Sequence, residues 1–265
     1  MKFPIFITLS IVLFFVGLLY FSLNPFPLSA LPIVRLIRLK EEPVLAPLSR
    51  EPQFPMQVTL ESRGNVKISG AYYPANTPSR NSVLLLHTRG SNKTAWNSFA
   101  KKLSRLGYNA LTLDFRGMGT SENTENTFQT IGFAKLVFDA EAGVKFLKDQ
   151  NPNGKIIIIG AGIGANVALQ YAAYYPITAT VALSPILRYE GIVTDYDITQ
   201  VQSPVLFISS LDDPKSANAS DILFIKLRAK EFSRALFLKQ AGHGTNMLGK
   251  EGSDDYIIEF LYKRF

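Results

Sequence analysis

The chain has 265 residues, of which 47% are hydrophobic and 18% charged, a composition that excludes a disordered protein and suits one domain with a sizeable core. Its formal net charge is +7, but no Lys/Arg cluster or basic stripe interleaved with aromatic residues accompanies that charge in the predicted domain, so we expect no nucleic-acid partner. Cysteine is absent and there are two histidines, His87 and His243, which excludes disulfides and thiolate sites and leads us to expect no metal ion.

The first predicted element is the hydrophobic segment from Ile5 to Leu23, which carries no charged residue. As a helix it spans about 28 Å, close to the hydrocarbon thickness of a bilayer. Tyr20 and Phe21 lie near one end, where aromatic side chains favour the membrane interface. Residues 1–24 are therefore predicted to be a transmembrane anchor. A cleavable signal peptide is the alternative, because residues 28–30 resemble a weak cleavage site.

The basic residues around this segment lie on both sides of it and do not decide its orientation. A short amino-terminal tail before a hydrophobic segment is typical of an export signal. We therefore expect a single-pass membrane protein with its domain on the extracytoplasmic side, or a secreted protein if the segment is cleaved. Residues 25–55, with prolines at positions 43, 47, 52 and 55, predict a stiff juxtamembrane linker. Residues 31–40 mix apolar and basic side chains and are equally compatible with lying along the lipid surface.

Residues 56–265 predict one α/β domain. Gln57–Leu60 and Val66–Tyr73 have the pattern of an antiparallel hairpin, and short apolar runs then alternate with helical periodicity. This order predicts a doubly wound, mostly parallel sheet with an opening antiparallel hairpin. The later strands are predicted at Ser82–Leu86, Ala110–Phe115, Lys155–Ile159, Ala179–Leu183, Val205–Ser209 and Ala235–Lys239.

Three predictions concern the helices and the connections between strands. The first helix is expected to bury one face at helical spacing, formed by Trp96, Phe99, Leu103 and Leu106. Ser253, followed by two aspartates, is expected to cap the last helix. Only about twenty residues, 184–203, separate two consecutive strands, so we expect no substantial cap domain over the sheet.

A glycine-rich turn, residues 160–165, follows a fully apolar strand and opens a helix. Two kinds of protein use such a turn: a serine hydrolase as Gly-x-Ser-x-Gly, and a dinucleotide-binding oxidoreductase as Gly-x-Gly-x-x-Gly/Ala. In the second case Gly160, Gly162 and Ala165 would hold a pyrophosphate at the helix amino terminus. That fold also places an acidic residue about 20 residues later, at the end of the next strand. Here that strand ends in Leu183 and Ser184, so the sequence favours the first case and we expect no cofactor.

Several motifs follow the predicted strands in a fixed order. They are His87-Thr88-Arg89-Gly90, Asp114-Phe115-Arg116-Gly117-Met118-Gly119, the glycine turn, Leu211-Asp212-Asp213-Pro214 and Gly242-His243-Gly244. In this order they resemble the α/β-hydrolase superfamily. The segments 183–185 and 241–248 are similar to small bacterial members of the dienelactone-hydrolase and serine-esterase type. The resemblance covers roughly residues 57–265.

The resemblance implies a serine-hydrolase site and assigns roles to residues of this chain. Asp213 corresponds to the triad acid, with Asp212 as the alternative, and His243 corresponds to the base. The backbone N–H groups of Arg89 and Ile163 correspond to the oxyanion hole. The nucleophile position is residue 162, which here is Gly162. Position 88, usually glycine, is threonine.

Glycine at position 162 has no oxygen with which to form an acyl-enzyme. We therefore expect a membrane-anchored hydrolase-family protein, ancestrally an ester or amide hydrolase, that is catalytically impaired and retains a site for a small ester or acyl ligand. An active hydrolase remains the alternative, with attack by a water that His243 activates or by a displaced serine such as Ser91. His87, Asp114 and Arg116 are expected to be structural. Nothing in the sequence specifies an oligomeric state.

Overall fold

In the computed structural model, residues 55–123 and 133–265 are described, and they form an eight-stranded sheet covered by helices on both faces. The predicted membrane anchor and nearly all of the predicted linker lie outside these residues. Among the helices of the described ranges, none combines the length and the apolar character that crossing a bilayer requires.

The predicted sheet is confirmed. Its strands are β1 Met56–Ser62, β2 Val66–Tyr73, β3 Ser82–Leu86, β4 Asn109–Leu113, β5 Ile156–Ala161, β6 Ala179–Leu183, β7 Val205–Ser210 and β8 Arg234–Leu238. They lie in the order β1-β2-β4-β3-β5-β6-β7-β8. Strand β2 pairs antiparallel with β1 and β4, and all other pairs are parallel. The described α-helices are α1 Asn97–Arg105, α2 Leu136–Gln150, α3 Ile163–Tyr174, α4 Thr194–Asp197, α5 Pro214–Lys226 and α6 Ser253–Tyr262.

Strands β3 and β5 lie at the centre of the sheet, and every residue of both is buried. A parallel strand covered by helices on both faces needs no polar side, which is why both strands are apolar runs. Consecutive residues of these strands point to opposite faces of the sheet and pack in different layers of the core. Leu84 and Ile158 pack with helices α2 and α3, whereas Leu85 and Ile159 pack with α1 and α6.

The spacing of the glycine turn has a packing reason. A Cβ atom on Gly160 would lie well under 3.0 Å from the backbone of Gly164. A Cβ atom on Gly164 would lie equally close to the carbonyl group of Leu86, at the end of β3. Helix α3 therefore begins so near the ends of the two central strands that neither position has room for a side chain.

Two predicted details of the helices are wrong. Leu106 does not share the buried face of α1, because that helix ends at Arg105 and Leu106 is 50% exposed. Ser253 does not cap α6. The N-cap is Gly252, and the Ser253 hydroxyl instead donates a hydrogen bond to the Met247 carbonyl oxygen.

The connection between β6 and β7 is short, as expected from its length. It holds helix α4 and one 3₁₀ turn, Ile198–Gln200. Within the described residues, the carboxyl edge of the parallel strands is therefore not covered by a cap domain.

Two buried ion pairs fix the loop after β4. Arg116 Nη2 lies 2.7 Å from Asp139 Oδ1, and the same carboxylate accepts a hydrogen bond from Ser62 at the end of β1. Asp114 Oδ2 lies 2.6 Å from Lys93 Nζ, and Asp114 Oδ1 accepts the Lys93 backbone N–H. These contacts confirm that Asp114 and Arg116 are structural residues.

The Arg116–Asp139 pair generates the first testable prediction. Replacement Asp139→Ala leaves the guanidinium of Arg116 buried without its counter-charge, so we expect the free energy of unfolding to fall by about 3–5 kcal/mol. Urea unfolding of the purified protein measures this, followed by the fluorescence of Trp96, the one tryptophan of the chain. The matched control is Asp149→Ala, an exposed residue of the same helix, which should change stability by about 0.5 kcal/mol or less. Equal losses in the two variants would contradict the prediction.

Candidate active site

An open cavity of about 470 Å³ lies at the carboxyl edge of the parallel strands. The loops after β3, β5, β6 and β8 contribute Thr88, Gly162, Ser184 and His243 to its lining. The loop after β7 carries Asp213, whose carboxylate is hydrogen-bonded to Nδ1 of the His243 ring. Parallel strands bring the loops at their carboxyl ends to one edge, which is the usual position of ligand sites in such sheets.

Asp213 and His243 form a hydrogen-bonded pair. Asp213 is the N-cap of α5, where it accepts the Ser216 N–H, and its Oδ2 lies 2.7 Å from His243 Nδ1. Because a carboxylate only accepts, Nδ1 carries a proton, and in the neutral ring Nε2 is the acceptor. Partial burial alone would raise the pKa of Asp213, but the hydrogen bonds from Ser216 and His243 outweigh it and hold that pKa below its ordinary value. Asp213 is therefore ionised at neutral pH.

The loop that carries His243 is held on both sides of the imidazole. The Gly242 N–H donates to Asp212 Oδ1 at 3.1 Å, and the Gly244 N–H donates to Ser184 Oγ at 3.0 Å. Of the two candidate acids, the structure thus places Asp213 on the ring and Asp212 on the supporting loop. The role of Ser184 was not predicted, because only the fold brings the end of β6 against this loop.

Gly162 forms the sharp turn between β5 and α3. Its φ is +55° and its ψ −120°, a backbone conformation that glycine adopts far more readily than other residues. Its N–H donates to the Leu183 carbonyl oxygen at 2.9 Å. A Cβ atom at this position would lie 3.1 Å from His243 Nε2. A hydroxyl on such a side chain would therefore be within reach of the imidazole, and glycine supplies none.

The side chain of Thr88 occupies the space beside Gly162. A Cβ atom on Gly162 would lie 3.0 Å from Thr88 Cβ and closer still to Thr88 Oγ1, nearer than real Cβ atoms approach their neighbours. The Thr88 side chain therefore takes the space that a side chain at position 162 would need. The sequence shows both departures from the hydrolase pattern, but only the fold shows that they are in contact.

The same contacts bear on the dinucleotide hypothesis. A pyrophosphate at the amino end of α3 needs open space beside the second glycine of the turn. Here Thr88 Oγ1 and His243 Nε2 border that space, and β6 ends without a carboxylate. Within the described residues, no three histidine or acidic side chains come together as metal ligands would.

Two backbone donors face the cavity without a protein acceptor. Among the described residues, neither the N–H of Arg89 nor that of Ile163 makes a hydrogen bond to the protein, and both residues line the cavity. Ile163 is the first residue of α3, where N–H groups lack intrahelical partners and the helix dipole is positive. Such a pair can bind a carbonyl oxygen on which negative charge develops.

One wall of the cavity is built around the Arg89 side chain. Its Nη1 donates to the Tyr189 hydroxyl at 3.2 Å and lies 3.8 Å from Glu190. The guanidinium also stands over the Phe133 ring, 5.1 Å from its centroid. The part played by Tyr189 was not predicted, because its loop carries no recognisable motif.

His87 is a structural residue, as predicted. Its ring is fully buried, its Nδ1–H donates to the Thr88 carbonyl oxygen at 2.7 Å, and its Nε2 accepts the Phe115 N–H. Burial lowers the pKa of His87, so the ring is neutral at physiological pH. The Thr88 carbonyl also accepts the Ser91 N–H, and the peptide after Thr88 is thereby fixed from two sides.

Comparison with known proteins agrees with this geometry. The family model described as serine aminopeptidase, S33 matches residues 77–210, which include Thr88 and Gly162. The solved Pyrococcus furiosus esterase Pf2001 is 24% identical, with a TM-score of 0.67 over 80% of this chain and 91% of the esterase. Est1E of Butyrivibrio proteoclasticus, solved with ferulic acid, is 15% identical (TM-score 0.67, 78% and 98% covered). The esterase EaEST of Exiguobacterium antarcticum is 12% identical (TM-score 0.64, 78% and 100% covered).

The lowered pKa of Asp213 predicts a pH dependence of stability. The ionised carboxylate stabilises the fold above the unfolded-state pKa of about 3.9, and this contribution is lost as the pH falls through the lower folded-state pKa. We expect Asp213→Asn to lower the free energy of unfolding by about 1.5 kcal/mol at pH 6, the low end for a hydrogen bond to a charged group because the His243 side chain is 46% exposed. The difference from the unmodified protein should shrink below about pH 4.

Urea unfolding between pH 3 and pH 6 tests this expectation. The control Asp255→Asn changes a carboxylate that is 85% exposed and should show little difference at any pH. A stability difference for Asp213→Asn that stays constant down to pH 3 would contradict the prediction. It would show that the stabilisation does not depend on the ionised carboxylate of Asp213.

Proposed function

Because the chain belongs to the serine aminopeptidase S33 family of α/β hydrolases, we propose that its cavity binds the carbonyl group of a small ester or amide, and that the protein is a catalytically impaired hydrolase. The observation that carries the proposal is the geometry at residue 162. A side chain there would begin 3.1 Å from His243 Nε2, yet glycine occupies the position.

The remaining groups have the arrangement that acyl transfer requires. The carbonyl oxygen of the ligand accepts hydrogen bonds from the N–H groups of Arg89 and Ile163, where negative charge is stabilised. His243 presents Nε2 as a base, and Asp213 holds the ring in that tautomer. Because residue 162 has no hydroxyl, an acyl-enzyme cannot form there. A triad enzyme stripped of one member retains only about 10³–10⁴-fold catalysis over water, and this is the sense in which the site is impaired.

We further propose that residues 5–23 anchor the domain to a membrane and that the domain lies on the extracytoplasmic side of that membrane. The support is the uncharged apolar run, which is long enough to cross a bilayer. The open cavity would then face the compartment outside the cytoplasm.

A pair of substitutions tests the acyl-transfer site. Gly162→Ser alone places its Cβ against Thr88. The positive φ at this position adds about 1–3 kcal/mol of backbone strain. We therefore expect little gain in p-nitrophenyl ester hydrolysis from this variant. Combining Thr88→Gly with Gly162→Ser removes the conflict and should raise the initial rate at least tenfold above that of the single variant. Adding His243→Ala to the pair should abolish the gain. A folded double variant that is no faster than Thr88→Gly alone would show that residue 162 is not placed for acyl transfer.

The absence of cysteine makes the membrane proposal easy to test. Lys148→Cys places one thiol at an exposed position on α2. In spheroplasts of an expressing bacterium, we expect a membrane-impermeant maleimide to label this variant in the membrane fraction, and deletion of residues 1–24 to abolish that membrane association. The cysteine-free parent is the control for labelling. A thiol that reacts only after the cells are disrupted would place the domain on the cytoplasmic side.

A further inference from the structure

The position that a Cβ atom of residue 162 would take is blocked by an oxygen from another loop. Thr88 Oγ1 is the atom nearest to the point where a Cβ of residue 162 would stand. The oxygen of a serine at 162 would stand one bond from that same point. The hydroxyl of Thr88 thus lies close to the position that the nucleophilic serine takes in a serine hydrolase, at the turn between β5 and α3.

A water molecule cannot take this point while Thr88 keeps its conformation. Oxygen atoms joined by a hydrogen bond are about 2.5–3.0 Å apart. The vacated point is closer than that to Thr88 Oγ1. At the Cβ point itself, the nearest oxygen is therefore that of Thr88 and not that of a solvent molecule.

A free acceptor and a free hydroxyl converge on this point. His243 Nε2 lies 3.1 Å from it, and in the neutral ring this nitrogen is the acceptor, because Nδ1 donates to Asp213. Thr88 Oγ1 makes no hydrogen bond to any protein group within residues 55–123 and 133–265. His243 Nε2 is among the groups that this hydroxyl does not bond in the structure, and catalytic hydrogen bonds often tighten only when the ligand is bound. No other described group competes for the proton of the hydroxyl.

The backbone of Thr88 is fixed beside one of the two oxyanion donors. Its carbonyl oxygen accepts hydrogen bonds from His87 Nδ1 at 2.7 Å and from the Ser91 N–H at 3.2 Å. The next residue is Arg89, which lines the cavity and whose N–H bonds to no described protein group. A carbonyl group bound to that N–H would have its carbon next to the Thr88 side chain.

We propose that the Thr88 hydroxyl is the nucleophile of this site. This inference rests on the proposed function, because it names the attacking atom of the same acyl-transfer site. Thr88 Oγ1 bonds to the carbonyl carbon of the ester or amide, its proton passes to His243 Nε2, and the C=O electron pair moves to the oxygen held by the N–H groups of Arg89 and Ile163. When that pair returns, the bond to the leaving alcohol or amine breaks, and the leaving group takes the proton from His243.

The product of this first stage is an acyl ester of Thr88. A water molecule then gives its proton to His243 and attacks the acyl carbon, which releases the carboxylic acid and restores the Thr88 hydroxyl. A secondary hydroxyl with a neighbouring methyl group is more hindered than a serine on the elbow. Slow turnover is therefore the outcome that this arrangement produces, in agreement with an impaired hydrolase.

A fluorophosphonate probe and the full-length protein test the assignment. We expect slow phosphonylation that peptide mass spectrometry maps to Thr88, and p-nitrophenyl acetate hydrolysis that falls at least tenfold in Thr88→Val, which keeps the shape and removes the oxygen. Thr88→Ser keeps the hydroxyl without the methyl group and should react faster with the probe than the unmodified protein. The control Thr199→Val makes the same exchange at a partly buried position outside the cavity and should change neither readout.

The outcomes separate this inference from the proposed function. Absence of label at Thr88, or hydrolysis in Thr88→Val equal to that of the unmodified protein, overturns the inference. If Thr88→Gly/Gly162→Ser nevertheless hydrolyses esters, the proposed function stands and only the identity of the attacking atom is wrong. Thermal unfolding followed by Trp96 fluorescence shows that each variant is folded, so a loss of label in Thr88→Val reports the missing oxygen.

Discussion

The close approach of helix α3 to the carboxyl ends of β3 and β5 is the constraint on which the site depends. Gly160 and Gly164 permit it, because a Cβ on either residue would collide with backbone. The approach fixes the turn at Gly162, places the first residue of the helix, Ile163, at the cavity, and brings the loop after β3 against that turn. Without it, Thr88 would not reach the space beside Gly162.

The other half of the site is organised by hydrogen bonds to the loop after β8. Ser184 and Asp212 hold the backbone on either side of His243, while Asp213 binds its ring. The base is thus held in one tautomer although residue 162 offers it no hydroxyl. In the proposed mechanism, this held imidazole is the group that accepts the proton of the Thr88 hydroxyl.

The sheet and most residues of the candidate site could be predicted from the sequence, because both depend on patterns along the chain. Apolar runs mark the buried strands, and parallel strands carry the residues that follow them, Asp213 and His243 among these, to one edge. The contact between Thr88 and Gly162 depends on how closely a helix meets two strands, and no spacing encodes that distance. The exposure of Leu106 depends on where α1 ends, which helical periodicity does not specify.

The short connection between β6 and β7 has a consequence for selectivity. With helix α4 and one 3₁₀ turn in this stretch, no tunnel is formed there that could measure a long ligand. Under the proposed function, a ligand would be distinguished by the group that lies between Thr88 and His243, because the described residues place no cap domain over the rest of it. Such an unroofed site can accept the end of a bulky polymer or lipid as readily as a small metabolite.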